Sequence, residues 1–139
     1  MPPVVIPGVI ELAEPEVWSM GAALVMMILD VVSGFGAALI RGEVSSTKMR
    51  EGLGHKAILV LMVAVAIVLQ AATLHIGDMG WSFPLIAPCC VYIIVMELSS
   101  ILENASSAYP ALAGTPLMRL FERVGDAASG DGGEGGGAE

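Results

Sequence analysis

The chain has 139 residues, of which 55% are hydrophobic and only 14% are charged, and its formal net charge is −8. Soluble domains carry about 25% charged residues, so this composition leaves too little polar surface to cover a globule in water. The acidic balance also excludes a nucleic-acid binder, because an excess of carboxylates is repelled by phosphate backbones. The sequence therefore predicts a single-domain integral membrane protein.

Three apolar runs are long enough to cross a bilayer. They cover residues 18–40, 57–76 and 84–102. At about 1.5 Å per residue, each run forms a helix that reaches roughly the 30 Å thickness of a hydrocarbon core. We therefore predict an all-α bundle of three transmembrane helices within a membrane domain of residues 1–124.

The basic residues predict the orientation of these helices. All six Lys and Arg residues lie in two stretches, residues 41–56 and residues 119–123, and neither the first 17 residues nor the second connection contains one. With three crossings, both basic stretches fall on the same side of the membrane. Because cytoplasmic segments are enriched in Lys and Arg, we expect the N-terminus outside and the C-terminus inside.

The residues after the third run divide into two parts. Thr115 and Pro116 are typical of a helix start, and the following residues place apolar and charged side chains on opposite faces. This pattern predicts a short amphipathic helix over residues 116–124, suited to the inner membrane surface. Residues 125–139 contain seven glycines and four acids, a composition that predicts a disordered tail.

Asp30 lies near the centre of the first run, where an ionised carboxylate costs about 2.5–3.5 kcal/mol to insert. It is therefore expected to face other helices or water. Gly34 and Ala38 follow at four-residue intervals, and such small residues let two helix backbones approach closely. From sequence, this stripe fits two uses equally: packing within one three-helix bundle, or facing a second copy or a pore.

A second polar stripe occupies the third run. Its members recur at intervals of three and four residues, which places them on one helical face. Solvation of an emerging helix end explains the later members, whereas Glu97 lies inside the run and favours a functional role. The stripe consists of Glu97, Ser100, Asn104 and Ser107. The candidate oligomer- or pore-facing residues are thus Asp30, Gly34, Ala38, Glu97, Ser100 and Asn104.

The sequence contains no pattern that indicates an enzyme. No nucleophile shares a plausible site with a base, and there is no phosphate-binding loop or cluster of metal ligands. We therefore expect no catalytic residue, no cofactor and no metal site.

The stretch MELSSILENASSAYPALAGTP contains the pattern E-x-x-S-I-x-E-N followed by Gly-x-Pro. It resembles the signature of the bacteriophage and toxin-secretion holin family. The residues that carry this part of the resemblance are Glu97, Ser100, Ile101, Glu103, Asn104, Gly114 and Pro116. The upstream part resembles that family's Asp-x-x-x-Gly span and Ser-Ser, Gly and Lys loop, and it consists of Asp30, Gly34, Ser45, Ser46, Gly52 and Lys56.

The resemblance implies a protein that accumulates in the host bacterial cytoplasmic membrane and self-associates there. At a critical density it would form lesions through which a cytosolic endolysin, or a toxin, crosses the lipid bilayer. Two other interpretations fit the same residues. One is a non-lytic ion or proton channel or transporter subunit that uses Asp30 and Glu97, and the other is a regulatory, antiholin-like membrane protein.

Overall fold

The computed structural model describes residues 4–6, 10–76 and 83–129. Within these ranges the chain forms four α-helices, and the first three are long and apolar enough to cross a membrane. This confirms the predicted fold of three transmembrane helices with a shorter fourth helix. The helices are α1 (Glu14–Arg41), α2 (Ser46–His75), α3 (Ile86–Ala108) and α4 (Pro116–Ser129).

A small antiparallel sheet precedes α1. Strand β1 (Val4–Ile6) pairs with β2 (Ile10–Leu12), with Val4 opposite Leu12. β-Branched and leucine side chains suit such an extended pair, and Leu12 is buried against the helical core. The sheet therefore lies at one end of the bundle, which we call the hairpin end; the opposite end, which contains Arg41 and Lys48, is the basic end.

Local hydrogen bonds define both ends of α1. The Glu16 carboxylate accepts a hydrogen bond of 2.7 Å from the backbone N–H of Ala13, and Pro15 lies in the first turn, where a missing N–H is tolerated. Gly42 ends the helix in the left-handed conformation, with φ of 68°, and its N–H donates to Leu39. These caps give α1 28 residues, starting four residues before its apolar run.

The structure corrects the predicted start of the second helix from residue 57 to Ser46. Ser45 caps this helix, because its Oγ accepts a hydrogen bond of 3.4 Å from the backbone N–H of Lys48. The residues that follow include Lys, Met, Arg and Glu, which favour helix even where they are not apolar. The connection between α1 and α2 is therefore only residues 42–45.

The third helix ends six residues later than its apolar run, at Ala108. The polar stripe of α3 therefore continues on one helix. A 3-10 turn at Pro110–Leu112 follows, and Gly114, with φ of 76°, redirects the chain into α4.

Thr115 caps α4, because its Oγ1 accepts a hydrogen bond of 3.4 Å from the N–H of Met118, as the sequence predicts. The helix continues to Ser129 through two alanines and so includes five residues that the composition assigns to the tail. Residues 130–139 lie outside the described residues, so the disorder predicted there stays a prediction.

The amphipathic helix packs back against α3. Met118 is buried in this contact, whereas Leu117, Leu120 and Val124 form an apolar stripe that remains exposed. Placement of this stripe on the inner membrane surface remains a prediction.

The buried core is centred on α3. Ile86, Cys90 and Ile93 are almost completely buried, and they pack against residues of α1 and α2 such as Met27 and Leu59. α3 lies mainly against α1, while α2 makes fewer contacts and touches α1 little. Most large apolar side chains of α1 and α2 face outward, as expected for helices surrounded by acyl chains.

Candidate functional site: a charged cluster between the spanning helices

Each of the three spanning helices contributes one charged residue to a common point. The Lys56 Nζ lies 2.9 Å from Oδ2 of Asp30 and also contacts Oε2 of Glu97. The side chain of Glu97 is only 3% exposed, and those of Lys56 and Asp30 are 13% and 15% exposed. We call Asp30, Lys56 and Glu97 the charged cluster.

The charged cluster lies at matching depth on the three helices. Asp30 precedes the end of α1 by 11 residues, Lys56 follows the start of α2 by 10, and Glu97 precedes the end of α3 by 11. At about 1.5 Å per residue, each is about 16 Å from the basic end. The charges therefore meet well inside the helices, where pairing offsets part of the cost of placing each one in a membrane.

Two carboxylates share one ammonium group in this arrangement. With all three groups ionised, the cluster carries one net negative charge, and its contacts are charge-assisted hydrogen bonds. Removal of one partner from a buried ion pair costs about 3–5 kcal/mol, because the other charge stays buried without compensation. The cluster therefore links the basic half of α2 to both of its neighbours.

Asn104 extends the charged cluster towards the basic end. Its Nδ2 donates hydrogen bonds to Oδ1 of Asp30 at 3.0 Å and to Oγ of Ser33 at 3.1 Å. A Cβ atom placed on Gly34 would lie 3.3 Å from the same Nδ2. The absence of a side chain at Gly34 thus permits the close approach of α1 and α3 that brings Asn104 to Asp30.

The rest of the α3 stripe also faces the other two helices of the same chain. Arg41, the last residue of α1, donates a hydrogen bond to Oγ of Ser107 and lies 3.3 Å from the Glu43 carboxylate. Ser100 and Ala38 are half-buried and line the space between the helices. The candidate residues of both stripes therefore come together within one chain, which is the arrangement of a packed bundle.

A cleft of about 300 Å³ leads from the basic end to the charged cluster. Charged residues at its mouth give way to a largely apolar wall and then to a polar floor. The mouth contains Arg41, Glu43 and Lys48; the wall contains Val31, Phe35, Met49 and Leu53; the floor contains Asp30, Lys56 and Asn104. Seven of the residues that carry the family resemblance line it, namely Asp30, Gly34, Ser45, Gly52, Lys56, Ser100 and Asn104.

Apart from Glu97, which belongs to the charged cluster, the other residues that carry the family resemblance do not line the cleft. Gly114 and Pro116 form the turn into α4, where a left-handed glycine and a first-position proline suit the backbone. Ser46 is the first residue of α2, and Ile101 is half-buried on α3. Glu103 is exposed and borders the groove between α3 and α4.

A second buried polar cluster, which was not predicted from the sequence, lies at the hairpin end. The Oε1 of Gln70 accepts hydrogen bonds from the backbone N–H groups of Leu85, at 2.8 Å, and Ile86, at 3.1 Å. The Nε2 of Gln70 donates to Glu16, and both side chains are buried. We call Glu16 and Gln70 the capping pair, because α2 supplies through Gln70 the acceptor that the start of α3 lacks. The sequence feature that could have indicated this cluster is Gln70, an amide side chain within the apolar run of residues 57–76.

Among the described residues, every buried side-chain nitrogen and oxygen has a hydrogen-bond partner. Within the same residues, no group of three or more His, Cys, Asp or Glu side chains is arranged to hold a metal ion. Polar groups at the centre of the bundle therefore satisfy one another.

Three apolar helices joined by internal charges define a multi-pass membrane protein of the α-helical bundle class. The family model of the bacteriophage holin family matches residues 15–116, which extend from the first turn of α1 to the first residue of α4. The chain belongs to this family, which is a family of membrane pore formers and not of enzymes. It is accordingly a multi-pass protein of the cytoplasmic membrane. Comparisons with curated proteins and with solved structures found no match.

Proposed function

We propose that this protein is a holin that oligomerises in the cytoplasmic membrane of a bacterial host and opens lesions for a cytosolic endolysin or toxin. Membership of the family supports this function. The observation that supports its mechanism is the charged cluster, because Glu97 and Asn104 bond to α2 and α1 of the same chain. A single chain with its polar groups paired internally can remain in the bilayer without opening it.

A lesion needs the same side chains to face water. Polar residues are stable in a membrane where they line a water-filled cavity, and apolar faces are stable where they meet lipid. Separation of α2 from α1 and α3 would exchange the contacts of Asp30, Lys56 and Glu97 for water, while the outward faces of the helices stay in lipid. Assembly of several opened chains around a hole then offsets the loss of internal pairing.

The function is tested by inducible expression in a bacterial host, with and without a cytosolic wall-degrading enzyme, while membrane potential and turbidity are followed together. We expect an abrupt loss of potential after a delay, with rapid lysis only when the enzyme is present. Gradual or absent depolarisation without enzyme-dependent lysis would contradict the proposal.

The role of Asp30 is tested in the same assay with Asp30→Leu at equal membrane levels. We expect an altered time of lysis, because the variant removes one carboxylate from the charged cluster. Val32→Leu is the matched control, since Val32 is exposed on the same helix. Unchanged timing in Asp30→Leu would show that Asp30 takes no part in assembly.

The cleft favours a second candidate function, that of a non-lytic proton or cation channel or transporter subunit. It joins the basic end to Asp30 and Lys56, so an ion entering there would meet titratable groups within the bundle. This function predicts ion-selective, reversible flux from liposomes that retain an encapsulated folded protein, whereas a holin releases that protein. Suppression of another holin without any flux would instead indicate the regulatory alternative.

A further inference from the structure

We propose that the cleft between α1 and α2 binds one anionic phospholipid from the leaflet at the basic end. Its phosphate lies beside Lys48 and Arg41, and the first part of an acyl chain lies along the apolar wall. The site requires neither lesion formation nor a second copy of the chain, so it goes beyond the proposed function.

The size and position of the cleft suit part of a lipid. Its volume of about 300 Å³ is at the lower end of the range of roughly 300–1,000 Å³ for small-molecule sites, which is enough for a headgroup and the start of a chain. The apolar wall residues Phe35 of α1 and Leu53 of α2 are exposed, so the cleft is open sideways between these helices as well as towards the basic end. A lipid can therefore enter from the bilayer without crossing the bundle.

The charges that line the cleft determine that the anionic headgroup of a bound lipid lies at the mouth and not at the floor. At the floor, Lys56 is already engaged by Asp30 and Glu97. At the mouth, Arg41 pairs with Glu43, and Lys48 forms no ion pair within the described part of the chain. An anion is therefore attracted to the mouth and not to the floor, where Asp30 and Glu97, of which only Asp30 lines the cleft, already neutralise the ammonium group of Lys56.

The depths of the basic and apolar residues of the cleft along the helices support the same orientation of the lipid. Arg41 ends α1 and Lys48 is the third residue of α2, so both lie at the level where headgroups contact a spanning helix. Phe35 and Leu53 lie about one to two turns further in, at the level of acyl chains. Basic pockets between transmembrane helices recognise anionic headgroups in this way.

The proposal is tested with the purified full-length chain in a neutral detergent, titrated with phosphatidylglycerol or phosphatidylcholine while native mass spectrometry counts bound lipid. We expect one saturable phosphatidylglycerol and much weaker phosphatidylcholine binding. Lys48→Gln should weaken phosphatidylglycerol binding about fivefold, the equivalent of about 1 kcal/mol for one basic residue near a headgroup. Arg50→Gln is the matched control, because Arg50 is exposed on the same helix but does not line the cleft.

A second pair of variants tests the cleft itself. Both Gly52 and Gly54 have open space around an added Cβ, but only Gly52 lines the cleft. Gly52→Leu should therefore reduce saturable binding by about tenfold or more, while Gly54→Leu should leave it unchanged. Equal binding of the two lipids, equal effects of the two glycine variants, or full competition by glycerol phosphate would each overturn the proposal. These readouts are independent of lysis.

Discussion

Lys56 holds the charged cluster together, because it is the cation that Asp30 and Glu97 share in the described structure. Lys56→Met leaves the buried carboxylate of Glu97 and the partly buried carboxylate of Asp30 without a compensating cation. We expect this change to lower the free energy of unfolding by about 3–5 kcal/mol, measured by thermal unfolding in detergent with circular dichroism.

Removal of the two acids should reverse most of that loss. The variant Lys56→Met/Asp30→Asn/Glu97→Gln has no buried charge in the cluster, and replacement of a whole buried ion cluster is often nearly neutral. Arg50→Met, at an exposed position of the same helix, controls for the loss of a basic residue. If the combined variant were no more stable than Lys56→Met, the lower free energy of unfolding would instead result from lost packing of the aliphatic part of the lysine side chain.

Gly34 determines how closely α1 approaches α3. In Gly34→Leu the new side chain would overlap Asn104, since even a Cβ atom would lie 3.3 Å from its Nδ2. We expect a destabilisation of about 1–3 kcal/mol in the same unfolding measurement. Gly36→Leu is the matched control, because nothing lies within 4 Å of a Cβ there. Equal effects of the two variants would show that the α1–α3 contact does not depend on Gly34.

At the scale of the helices, apolar length predicted how many spans there are but not where each helix ends. Asp30 and Glu97 could be identified from sequence because acids inside apolar runs are exceptional. Their partner could not, because the run starting at residue 57 left Lys56 in a loop. The cap at Ser45 extends α2 through Lys56, so a local hydrogen bond decided which residues could meet.

The way in which the helices pack against one another also could not be predicted from the sequence. Hydropathy measures how apolar a helix is, and it does not define which neighbour each face meets. The stripe of α3 was predicted as one face, but its contacts with Arg41 and Lys56 depend on the packing of α3 against α1 and α2.

The capping pair joins the hairpin ends of α1, α2 and α3. Gln70→Leu removes the acceptor of two backbone N–H groups and the donor to Glu16. We expect a loss of about 1–3 kcal/mol for each buried group left unpaired, together with faster amide hydrogen exchange at Leu85 and Ile86. Val68→Leu, at an exposed position of α2, should change neither quantity. Unchanged exchange in Gln70→Leu would mean that other groups cap α3.

At the scale of the whole molecule, the six basic residues predict the direction in which the bundle crosses the membrane. In intact cells, Glu11→Cys should react with a membrane-impermeant maleimide, while Thr47→Cys should react only after permeabilisation. The unmodified chain is the control, because Cys89 and Cys90 lie within α3. Labelling of Thr47→Cys alone in intact cells would reverse the orientation.

The members of the charged cluster leave the ribosome at different times, since each belongs to a different helix. Lys56 follows Asp30 by 26 residues, and Glu97 follows Asp30 by 67 residues. Inserted alone, α1 would expose the unpaired carboxylate of Asp30 to lipid. When α1 and α2 enter together, the charges of Asp30 and Lys56 cancel. Co-translational insertion is therefore least costly when the first two helices enter as a pair, and α3 then adds its acid to an ion pair that already exists.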